Sequence, residues 1–387
     1  MTVDAAAREW DAVVVGAGVV GLAVAAVLAR SRRVLVVERH ATFALETSAH
    51  NSGVVHAGLY YATGSWKHRL CIAGNAALYA WCAAHGVGAR QTGKLVVAVD
   101  ASELDALEGV CVQAAANAVP GVRRLAGAEA RALEPAVPAV AALLSERSGI
   151  VDAAGFARSL AASAQEGGAW FAYRHELCAG ARVAGGFALE LRDADGATTE
   201  LRSAAVVNCA GHGAPAVAAA LGYPLDGGAA RHAGGPAVPR LRQRVNRGRY
   251  YDVVTTAVAR SVGRLVYPVP RHDLGGLGVH LTIDLDGGLH LGPDATWLAD
   301  GAPLDYRADD ASRAAFLASA QRLLPGLRDA DIAPGQVGYR PKLDGPGEPP
   351  ADFLIWDDAG YVHLGGIESP GLTACLPLAD EVAARLR

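Results

Sequence analysis

The sequence lacks three features that would place it in other classes of protein. It has no excess of positive charge and no basic stripe, since its formal net charge is −4, and this excludes nucleic-acid binding. Its longest apolar runs fall well short of the roughly 20 residues that a membrane-spanning helix needs. Residues 1–10 carry Asp4 and Glu9 and lack the basic and then apolar pattern of a secretion signal. These observations leave open whether the protein binds peripherally to a membrane surface.

Closely spaced cysteine pairs are also lacking. The six cysteines are scattered along the chain, and none has CxxC spacing. This excludes a zinc knuckle and a redox dithiol, and we expect no metal site. Cys71 and Cys209 lie in apolar contexts and are expected to be small buried side chains. A reducing cytoplasm fits this cysteine usage, with peripheral association at the inner face of a membrane as an open alternative.

Length and glycine are what the chain has in abundance. Its 387 residues exceed the size at which a single hydrophobic core keeps growing, so two domains are expected. Hydrophobic residues make up 51% of the chain and 46 residues are glycine, a composition that suits a globular α/β protein.

A glycine-rich turn lies between an apolar strand and an apolar helix near the start of the chain. Gly16 permits the tight turn, Gly18 lets the backbone approach a pyrophosphate, and Gly21 lets the helix pack on the strand. A second apolar strand ends at Glu38, whose carboxylate can accept hydrogen bonds from the ribose hydroxyls of an adenosine. The segment therefore predicts a dinucleotide site at the N-terminus of a helix.

Two further turns of small residues follow buried strands, at 208–213 and at 365–373. A long polar loop at 46–61 is expected to contact the ligand. A simple nicotinamide dehydrogenase keeps its site in one contiguous domain, whereas these segments are spread over the whole chain. Residues 226–334 contain short β-branched runs separated by Gly, Pro and Asp, which predict a sheet domain that interrupts the nucleotide domain.

This arrangement resembles the D-amino-acid oxidase superfamily of FAD-dependent amine and hydroxy-acid oxidoreductases. Within that superfamily the similarity to the L-2-hydroxyglutarate dehydrogenases is close. Eight motifs carry it, in family order over nearly the full length: GAGVVGLA at 16–23, NSGVVHAGLYY at 51–61, GKLVVA at 93–98, NCAG at 208–211, RGRYY at 247–251, GVHLT at 278–282, YRPKL at 339–343 and GGIESPGLTACL at 365–376.

The resemblance implies an α/β fold with two interleaved domains. The first is a Rossmann-like FAD-binding domain of the glutathione-reductase type, expected at 1–90, 150–225 and 335–387. The second is a substrate-binding domain with a mostly antiparallel β-sheet, expected at 91–149 and 226–334.

The resemblance also implies tightly and non-covalently bound FAD. Residues of the first turn and Glu38 would hold the ADP half, Val183 would meet the adenine, and residues after position 46 would contact the flavin. Backbone N–H groups of the last turn would reach the pyrimidine edge of the isoalloxazine. The residues that match cofactor-binding positions are Gly16, Gly18, Val19, Val20, Gly21, Glu38, Arg39, Thr47, Ser48, Asn51, Ser52, Gly53, Val183, Ala210, Gly211, Gly366, Gly371, Leu372 and Thr373.

His56 is the candidate catalytic base, because the substrate hydroxyl must lose its proton and a histidine is suited to take it near pH 7. Two alternatives stay open for His56. It packs on the flavin ring or donates to a carbonyl without reacting, or it tethers the flavin covalently, as a loop histidine does in some related amine dehydrogenases. The hydroxyglutarate branch resembles non-covalent enzymes, which makes the tether the less favoured alternative.

Arg340 is the candidate anchor for the substrate's α-carboxylate, since a planar guanidinium matches a carboxylate with two hydrogen bonds. A surface salt bridge is the alternative for this residue. Lys342 shares a face with Arg340 if the segment is extended, so it reaches the substrate or stabilises reduced flavin. His280 is a second candidate for the catalytic machinery, and the candidate substrate contacts are Tyr60, Tyr250 and Tyr251. The alternative for His280 and for the strand tyrosines is a place in the core.

The activity that the resemblance implies is oxidation of an L-2-hydroxy acid by hydride transfer to flavin, with L-2-hydroxyglutarate and 2-oxoglutarate as substrate and product. Electrons would pass to a quinone or another carrier. Two alternatives stay open: an amino-acid or amine oxidase or dehydrogenase on the same fold, and an FAD-binding subunit that relays electrons within a larger complex.

Overall fold

The computed structural model of the protein describes residues 9–232, 234–270 and 278–387. The α-helices in this part of the chain are α1 Val19–Leu28, α2 Trp66–His85, α3 Leu104–Ala116, α4 Gly127–Leu133, α5 Ala153–Glu166, α6 Ala214–Ala220, α7 Thr256–Ala259, α8 Arg313–Gln321 and α9 Gly371–Arg385. Among the described residues, no helix has both the length and the apolar character needed to cross a bilayer.

The β-strands in the described part of the chain are β1 Glu9–Trp10, β2 Ala12–Val15, β3 Val34–Glu38, β4 Val54–Val55, β5 Ala89–Arg90, β6 Lys94–Ala98, β7 Val122–Ala126, β8 Ala141–Ser145, β9 Gly149–Val151, β10 Trp170–Tyr173, β11 His175–Val183, β12 Gly186–Asp193, β13 Thr198–Ser203, β14 Val206–Asn208, β15 Asp226–Gly228, β16 Val238–Arg240, β17 Arg244–Val253, β18 Leu265–Pro268, β19 His280–Ile283, β20 Leu289–Gly292, β21 Thr296–Trp297, β22 Ile332–Lys342, β23 Leu354–Asp358 and β24 Tyr361–Gly365.

The chain divides into two compact units, each discontinuous in sequence. The first unit contains the described residues up to Ala49 together with Ala154–Val245 and Arg340–Arg387. The second contains His50–Ala153 and Asn246–Tyr339.

These borders differ from the ones expected from the sequence, most of all for residues 50–90, which lie in the second unit rather than in the first. Strands β4 and β5 both pair with β9 of the second unit, and the apolar side chains of Ala57 and Leu59 pack in one cluster with Val96 and Leu107. Residues 50–90 therefore belong to the second unit because their strand pairs and apolar contacts are with that unit. In the same way, residues 226–245 belong to the first unit.

The first unit is built on a six-stranded sheet of order β10-β3-β2-β14-β24-β23, in which only β23 runs antiparallel to its neighbour. Strands β2 and β3 are buried along their whole length, as their unbroken apolar sequences require in a parallel sheet covered on both faces. Val15 pairs with Val37 and with Asn208, which pairs in turn with His363. The turns that follow β2, β14 and β24 therefore leave the sheet at the same edge.

The first unit also contains helices and a second sheet. Helices α1 and α9 pack against each other. A four-stranded sheet of order β1-β13-β12-β11 lies in the same unit, and its β11–β12 hairpin pairs Val183 with Gly186.

The second unit contains a nine-stranded sheet of order β21-β17-β20-β19-β18-β6-β8-β7, with β22 paired to β17. Along the order from β21 to β7, neighbouring strands run antiparallel, except that β6 and β18 are parallel. A three-stranded sheet of order β4-β9-β5 completes the unit's strands within the described residues. The predicted α/β class with a mostly antiparallel second sheet is thus confirmed.

Strand β6 lies in the middle of the nine-stranded sheet and is buried along its whole length. Leu95 and Val97 belong to one apolar core, whereas Val96 and Ala98 belong to the core that also holds the loop residues around position 58. Because side chains alternate along a strand, Lys94 shares a face with Val96 and Ala98. A lysine thus begins an otherwise apolar, fully buried strand.

Candidate functional site

Two positions of the first glycine turn of the first unit have room only for glycine. Gly16 has φ of +100°, and a Cβ there would lie 2.6 Å from the carbonyl oxygen of Cys209. A Cβ at Gly21 would lie 1.9 Å from the carbonyl oxygen of Gly16. Helix α1 begins immediately after this turn with Val19 and Val20, so its N-terminal N–H groups face the edge of the sheet.

Glu38 ties the first turn to the end of β3. The residue is buried, with 8% of its surface exposed, and one carboxylate oxygen accepts a hydrogen bond from Ala17 N at 2.8 Å. The other oxygen accepts from His40 N at 2.8 Å. These two contacts fix the orientation of the carboxylate and leave lone pairs on both oxygens for further donors.

The predicted cofactor-binding residues that directly follow β3 make hydrogen bonds and an ion pair with other residues of the first unit. Ser48 Oγ accepts a hydrogen bond from Val19 N at 2.9 Å, at the start of α1. Thr47 Oγ1 and His212 Nε2 are 3.2 Å apart, which joins this loop to the second turn. Arg39 forms an ion pair with Glu46.

The second and third turns are joined by Gln243. Its Nε2 donates to the carbonyl oxygen of Gly211 at 2.8 Å, and its Oε1 accepts from Gly366 N at 2.6 Å. Both glycines have positive φ, 54° and 64°, and a Cβ on Gly366 would lie 2.7 Å from Leu343 Cγ. One side chain thus sets the spacing of the two turns. Ala210 lies in the second turn, next to Gly211.

Beneath these turns lies a buried polar network. Asn208 Nδ2 donates to the carbonyl oxygen of Ala214 at 2.8 Å and to the hydroxyl of Tyr361 at 3.0 Å. His363 Nδ1 lies 2.9 Å from that same hydroxyl. Burial lowers the pKa of His363 to about 4, so the imidazole is neutral at physiological pH. The network anchors β14 and β24, which carry the second and third turns.

Helix α9 begins at the third turn. Gly371, Leu372 and Thr373 form its first turn, in which Gly371 N donates to the carbonyl oxygen of Glu368, and Ala374 N donates to that of Pro370. The early N–H groups of a helix lack acceptors within the helix and favour an acceptor or an anion. The side chain of Thr373 is fully buried.

The first unit fits the FAD that the sequence predicts. A Cβ would block the first and third of its glycine turns, and two helix N-termini and a buried carboxylate lie at or next to the turns. Parallel α/β sheets bind dinucleotides at the carboxyl ends of their strands, which is the edge where these turns meet. Residues of the first turn with Glu38 would hold the adenosine and pyrophosphate, and residues of the other turns would hold the flavin.

The second unit contains a buried polar group centred on Tyr267. The ring of His280 stacks on that of Tyr267 with centroids 3.5 Å apart and planes at 11°, and Lys94 Nζ lies 4.0 Å from the centre of the same ring. Tyr60 and Tyr250 both raise the pKa of Tyr267 beyond the effect of burial, which places them nearby. We call these residues, with His56, the Tyr267 group: His56, Tyr60, Lys94, Tyr250, Tyr267 and His280.

His56 lies close enough to Lys94 and His280 for their charges to change its pKa. Burial lowers the pKa of His56 well below 6.5, and the positive charges of Lys94 and His280 lower it further. The imidazole is therefore neutral near pH 7. The backbone carbonyl of His56 accepts a hydrogen bond from Asn75 Nδ2 at 2.8 Å, which fixes the loop to helix α2.

Other candidate residues have surroundings of their own. Tyr251 packs against Phe316 with ring centroids 4.8 Å apart, in the apolar core of the second unit. Asn51 Oδ1 accepts from Gly53 N at 2.8 Å, so residues 51–53, Ser52 included, form a side-chain turn of the second unit. Val183 ends β11 at the hairpin described above.

Arg340 and Lys342 both lie in the last part of β22, in the first unit. Lys342 Nζ is 2.7 Å from Glu368 Oε1 and 3.4 Å from Asp344 Oδ2, with only 15% of its side chain exposed. Its charge is therefore balanced by two carboxylates. The predicted roles of both residues toward a substrate stay predictions.

Comparison with known proteins places this chain among flavoenzymes. The profile of the family described as "FAD dependent oxidoreductase" matches residues 11–385.

The chain belongs to this FAD dependent oxidoreductase family.

A relative from Arabidopsis thaliana, named "L-2-hydroxyglutarate dehydrogenase, mitochondrial", is 37% identical over 98% of this chain and 83% of its own length. The human protein of the same name is 30% identical over 99% of this chain and 90% of its own. Among solved structures, the L-alpha-glycerophosphate oxidase from Mycoplasma pneumoniae, determined with FAD bound, has a TM-score of 0.82 and 26% identity, covering 98% of this chain and 94% of that one.

FAD is the cofactor of this FAD dependent oxidoreductase, and the predicted cofactor and fold class are confirmed. The assignment of individual residues to the cofactor and the substrate stays a prediction, which the geometry makes specific. The structure groups Gly16, Gly21, Glu38, Gly211 and Gly366 at one sheet edge.

Three residues of interest were given no role by the sequence analysis. Gln243 belongs to no motif, and its role depends on two turns that are distant in sequence. Tyr267 looks like an ordinary strand aromatic. Lys94 does leave a signal, because a lysine at the start of an otherwise apolar strand is unusual. No cluster of three or more metal-ligating side chains occurs in the described ranges.

Proposed function

We propose that this FAD dependent oxidoreductase oxidises an L-2-hydroxy acid to the corresponding 2-oxo acid, with L-2-hydroxyglutarate as substrate and 2-oxoglutarate as product. The observation that carries the proposal is the 37% identity, over 98% of the chain, with a relative named for that substrate. The motifs around the proposed reacting residues, such as NSGVVHAGLYY, lie within the matched region.

His56 is the proposed catalytic base. Bound FAD supplies a two-electron acceptor for the hydride that leaves the α-carbon. The substrate hydroxyl must also lose a proton, and a neutral ring nitrogen of His56 is suited to take it, because its pKa is held well below 6.5. His280, stacked on Tyr267, is the proposed assistant, since its charge acts on His56.

Arg340 is the proposed anchor of the α-carboxylate. A guanidinium offers two parallel N–H groups to the two carboxylate oxygens, which fixes the orientation of the α-carbon as well as the affinity. Tyr60 and Tyr250, both in the Tyr267 group, are the proposed hydrogen-bonding contacts with substrate. Tyr251 and Lys342 are weaker candidates, because one packs in the apolar core and the other is balanced by two carboxylates.

The electrons are proposed to leave for a quinone or another carrier, in the cytoplasm or at the inner face of a membrane. All six cysteines are free thiols, which fits a reducing compartment. Reoxidation rates of the reduced protein, measured with oxygen and with a soluble quinone, separate a dehydrogenase from an oxidase.

Anaerobic reduction of the bound flavin tests the proposed substrate. L-2-hydroxyglutarate should bleach the flavin absorbance, and the D enantiomer should leave it nearly unchanged. Reduction by an amino acid such as glycine or L-proline, with no response to either hydroxy acid, would instead support the amine-oxidising alternative. If no small acid reduces the flavin, the protein is an electron-relay subunit.

A further inference from the structure

Lys94 is a buried cation that the proposed chemistry does not use. It has 1% of its surface exposed and lies in the middle of the nine-stranded sheet. Its ammonium sits over the face of Tyr267, 4.0 Å from the ring centre, where a cation is attracted by the π-electrons. This contact is weaker than an ion pair and does not balance a full positive charge.

No carboxylate balances Lys94 within the described residues. The one group whose charge would raise its pKa is the Cys71 thiol, and burial raises the pKa of that thiol to about 12, so Cys71 is neutral. Tyr60 and Tyr267 are neutral phenols, and His56 and His280 contribute no negative charge. Burial lowers the pKa of Lys94 to about 7. An unbalanced buried ammonium is costly unless an anion joins it.

A second donor near Lys94 favours a carboxylate as that anion. The hydroxyl of Tyr60 is buried and has no hydrogen-bond partner among the residues that the structure describes. Burial raises the pKa of Tyr60, which keeps the phenol protonated and able to donate. Both Tyr60 and Lys94 lie close to the Tyr267 ring. An ammonium and a phenol together supply donors for the two oxygens of one carboxylate.

We propose that Lys94 binds the second carboxylate, the one remote from the hydroxyl, of a dicarboxylic 2-hydroxy acid, and that it thereby selects a diacid over a monoacid. This inference rests on the function proposed above and adds a specificity-determining residue to it. The charge of Lys94 acts on His56, so the proposed base and the proposed carboxylate site lie in one neighbourhood of the second unit.

Lysine is rare in this protein, which makes Lys94 easy to observe. The chain has only three lysines, Lys67, Lys94 and Lys342, among its 35 Lys and Arg residues. Protein labelled with ¹³C at the ε-carbon of lysine therefore gives three side-chain signals. The Lys94 signal is expected to have a midpoint near 7, and it should be absent from Lys94→Met.

The NMR experiment titrates the FAD-loaded protein alone, with glutarate, and with pentanamide, which has the same chain length but no carboxylate. Glutarate should raise the Lys94 midpoint by at least about one pH unit, because a paired ammonium holds its proton more tightly. Pentanamide should leave the midpoint unchanged. An unchanged midpoint with glutarate, or an equal rise with pentanamide, overturns the inference.

The kinetic experiment compares Lys94→Met with the wild type on L-2-hydroxyglutarate and on L-2-hydroxypentanoate. Loss of a buried charge partner should lower kcat/KM for the diacid about 100-fold, chiefly through KM. The monoacid, which serves as the matched control, should change less than about threefold. An equal loss on both acids would show that Lys94 serves the fold or the chemistry instead.

The two experiments separate failure of this inference from failure of the proposed function. If L-2-hydroxyglutarate does not reduce the flavin but glutarate raises the Lys94 midpoint, the proposed function fails and the carboxylate site stands. If L-2-hydroxyglutarate reduces the flavin but the Lys94 signal does not respond to glutarate, the inference fails and the function stands. The NMR measurement uses the wild type, so it decides the question even if Lys94→Met does not fold.

Discussion

Gln243 Oε1 accepts a hydrogen bond from Gly366 N at 2.6 Å. The amide nitrogen of the same side chain donates to the carbonyl oxygen of Gly211 at 2.8 Å. The two glycines lie 155 positions apart in sequence, as do their strands β14 and β24 at Asn208 and His363. A single side chain therefore fixes the distance between two turns proposed to hold FAD.

Replacing Gln243 should weaken FAD binding without unfolding the protein. In Gln243→Ala both backbone partners lose their hydrogen bond, at a cost of about 1–3 kcal/mol, so the Kd for FAD should rise about 10-fold or more. Fluorescence titration of the apoprotein measures that Kd. Gln321→Ala is the matched control, because Gln321 also bonds a backbone carbonyl, that of Leu327, but in the second unit. Equal Kd values for the two variants would contradict the role of Gln243.

A methyl group at Gly21 should abolish FAD binding. The added Cβ of Gly21→Ala would lie 1.9 Å from the carbonyl oxygen of Gly16, so the helix must move away from the turn. The purified variant should be colourless while the wild type is yellow. Gly109→Ala is the control, since its Cβ meets nothing within 4 Å in helix α3, where alanine is favoured. Normal flavin content in Gly21→Ala would argue against this turn as the pyrophosphate site.

Removing the imidazole of His56 should slow flavin reduction about 10²- to 10⁴-fold, the usual contribution of a general base, with FAD still bound. Stopped-flow absorbance under anaerobic conditions measures the rate at saturating L-2-hydroxyglutarate. His85→Ala is the control, because His85 is exposed; its ring stacks on Trp81 at 4.0 Å and its Nδ1 lies 2.8 Å from the Trp81 carbonyl oxygen. Unchanged reduction by His56→Ala would remove this residue from the mechanism.

The pH dependence of that rate should differ from that of an ordinary histidine. The pKa of His56 is held well below 6.5, so the base stays unprotonated as the pH falls through the normal histidine range. The limiting rate of flavin reduction should therefore be flat from about pH 8 to pH 6 and decline only below it. A midpoint near 6.5 in the limiting rate would show that the base is solvated or is another group.

His363 should make the protein less stable in mild acid. Its pKa is about 4 in the folded state and about 6.5 in the unfolded chain, so unfolding takes up a proton as the pH falls between these values. The lost stability should reach about 2 kcal/mol at pH 5 and about 3 kcal/mol below pH 4.

Urea unfolding of the wild type and of His363→Gln at pH 7.5 and pH 5 measures this loss. The glutamine does not titrate, so the variant should lose about 2 kcal/mol less than the wild type between the two pH values. Parallel losses in wild type and His363→Gln would contradict the buried, neutral state of His363.

Sequence predicts the first turn well because its requirements are local. Gly16 adopts a positive φ, and Gly21 has no space for a side chain beside Gly16. Both requirements appear in the sequence as glycines a few residues apart. Strands β2 and β3 are apolar runs, so their burial can also be predicted from the sequence. Membership of the family follows from the order of such local motifs over nearly the whole chain.

The border at residue 50 illustrates what local patterns miss. The segment from 50 to 90 continues directly from the nucleotide-binding region in sequence, yet its β4 and β5 strands pair with β9 and it joins the second unit. Which of two cores a segment joins depends on partners that lie distant along the chain.

The sequence by itself determined the glycine turns, the buried strands, the family and the cofactor, because each depends on backbone conformation or side-chain size within a few residues. Only the tertiary structure decided that Gln243 joins two turns, that Tyr251 packs in a core while Tyr250 joins the Tyr267 group, and that Lys94 has no carboxylate partner among the described residues. These facts depend on which distant side chains share one buried volume. Burial and charge balance depend on all the side chains in that buried volume, and these side chains come from segments that are distant in sequence.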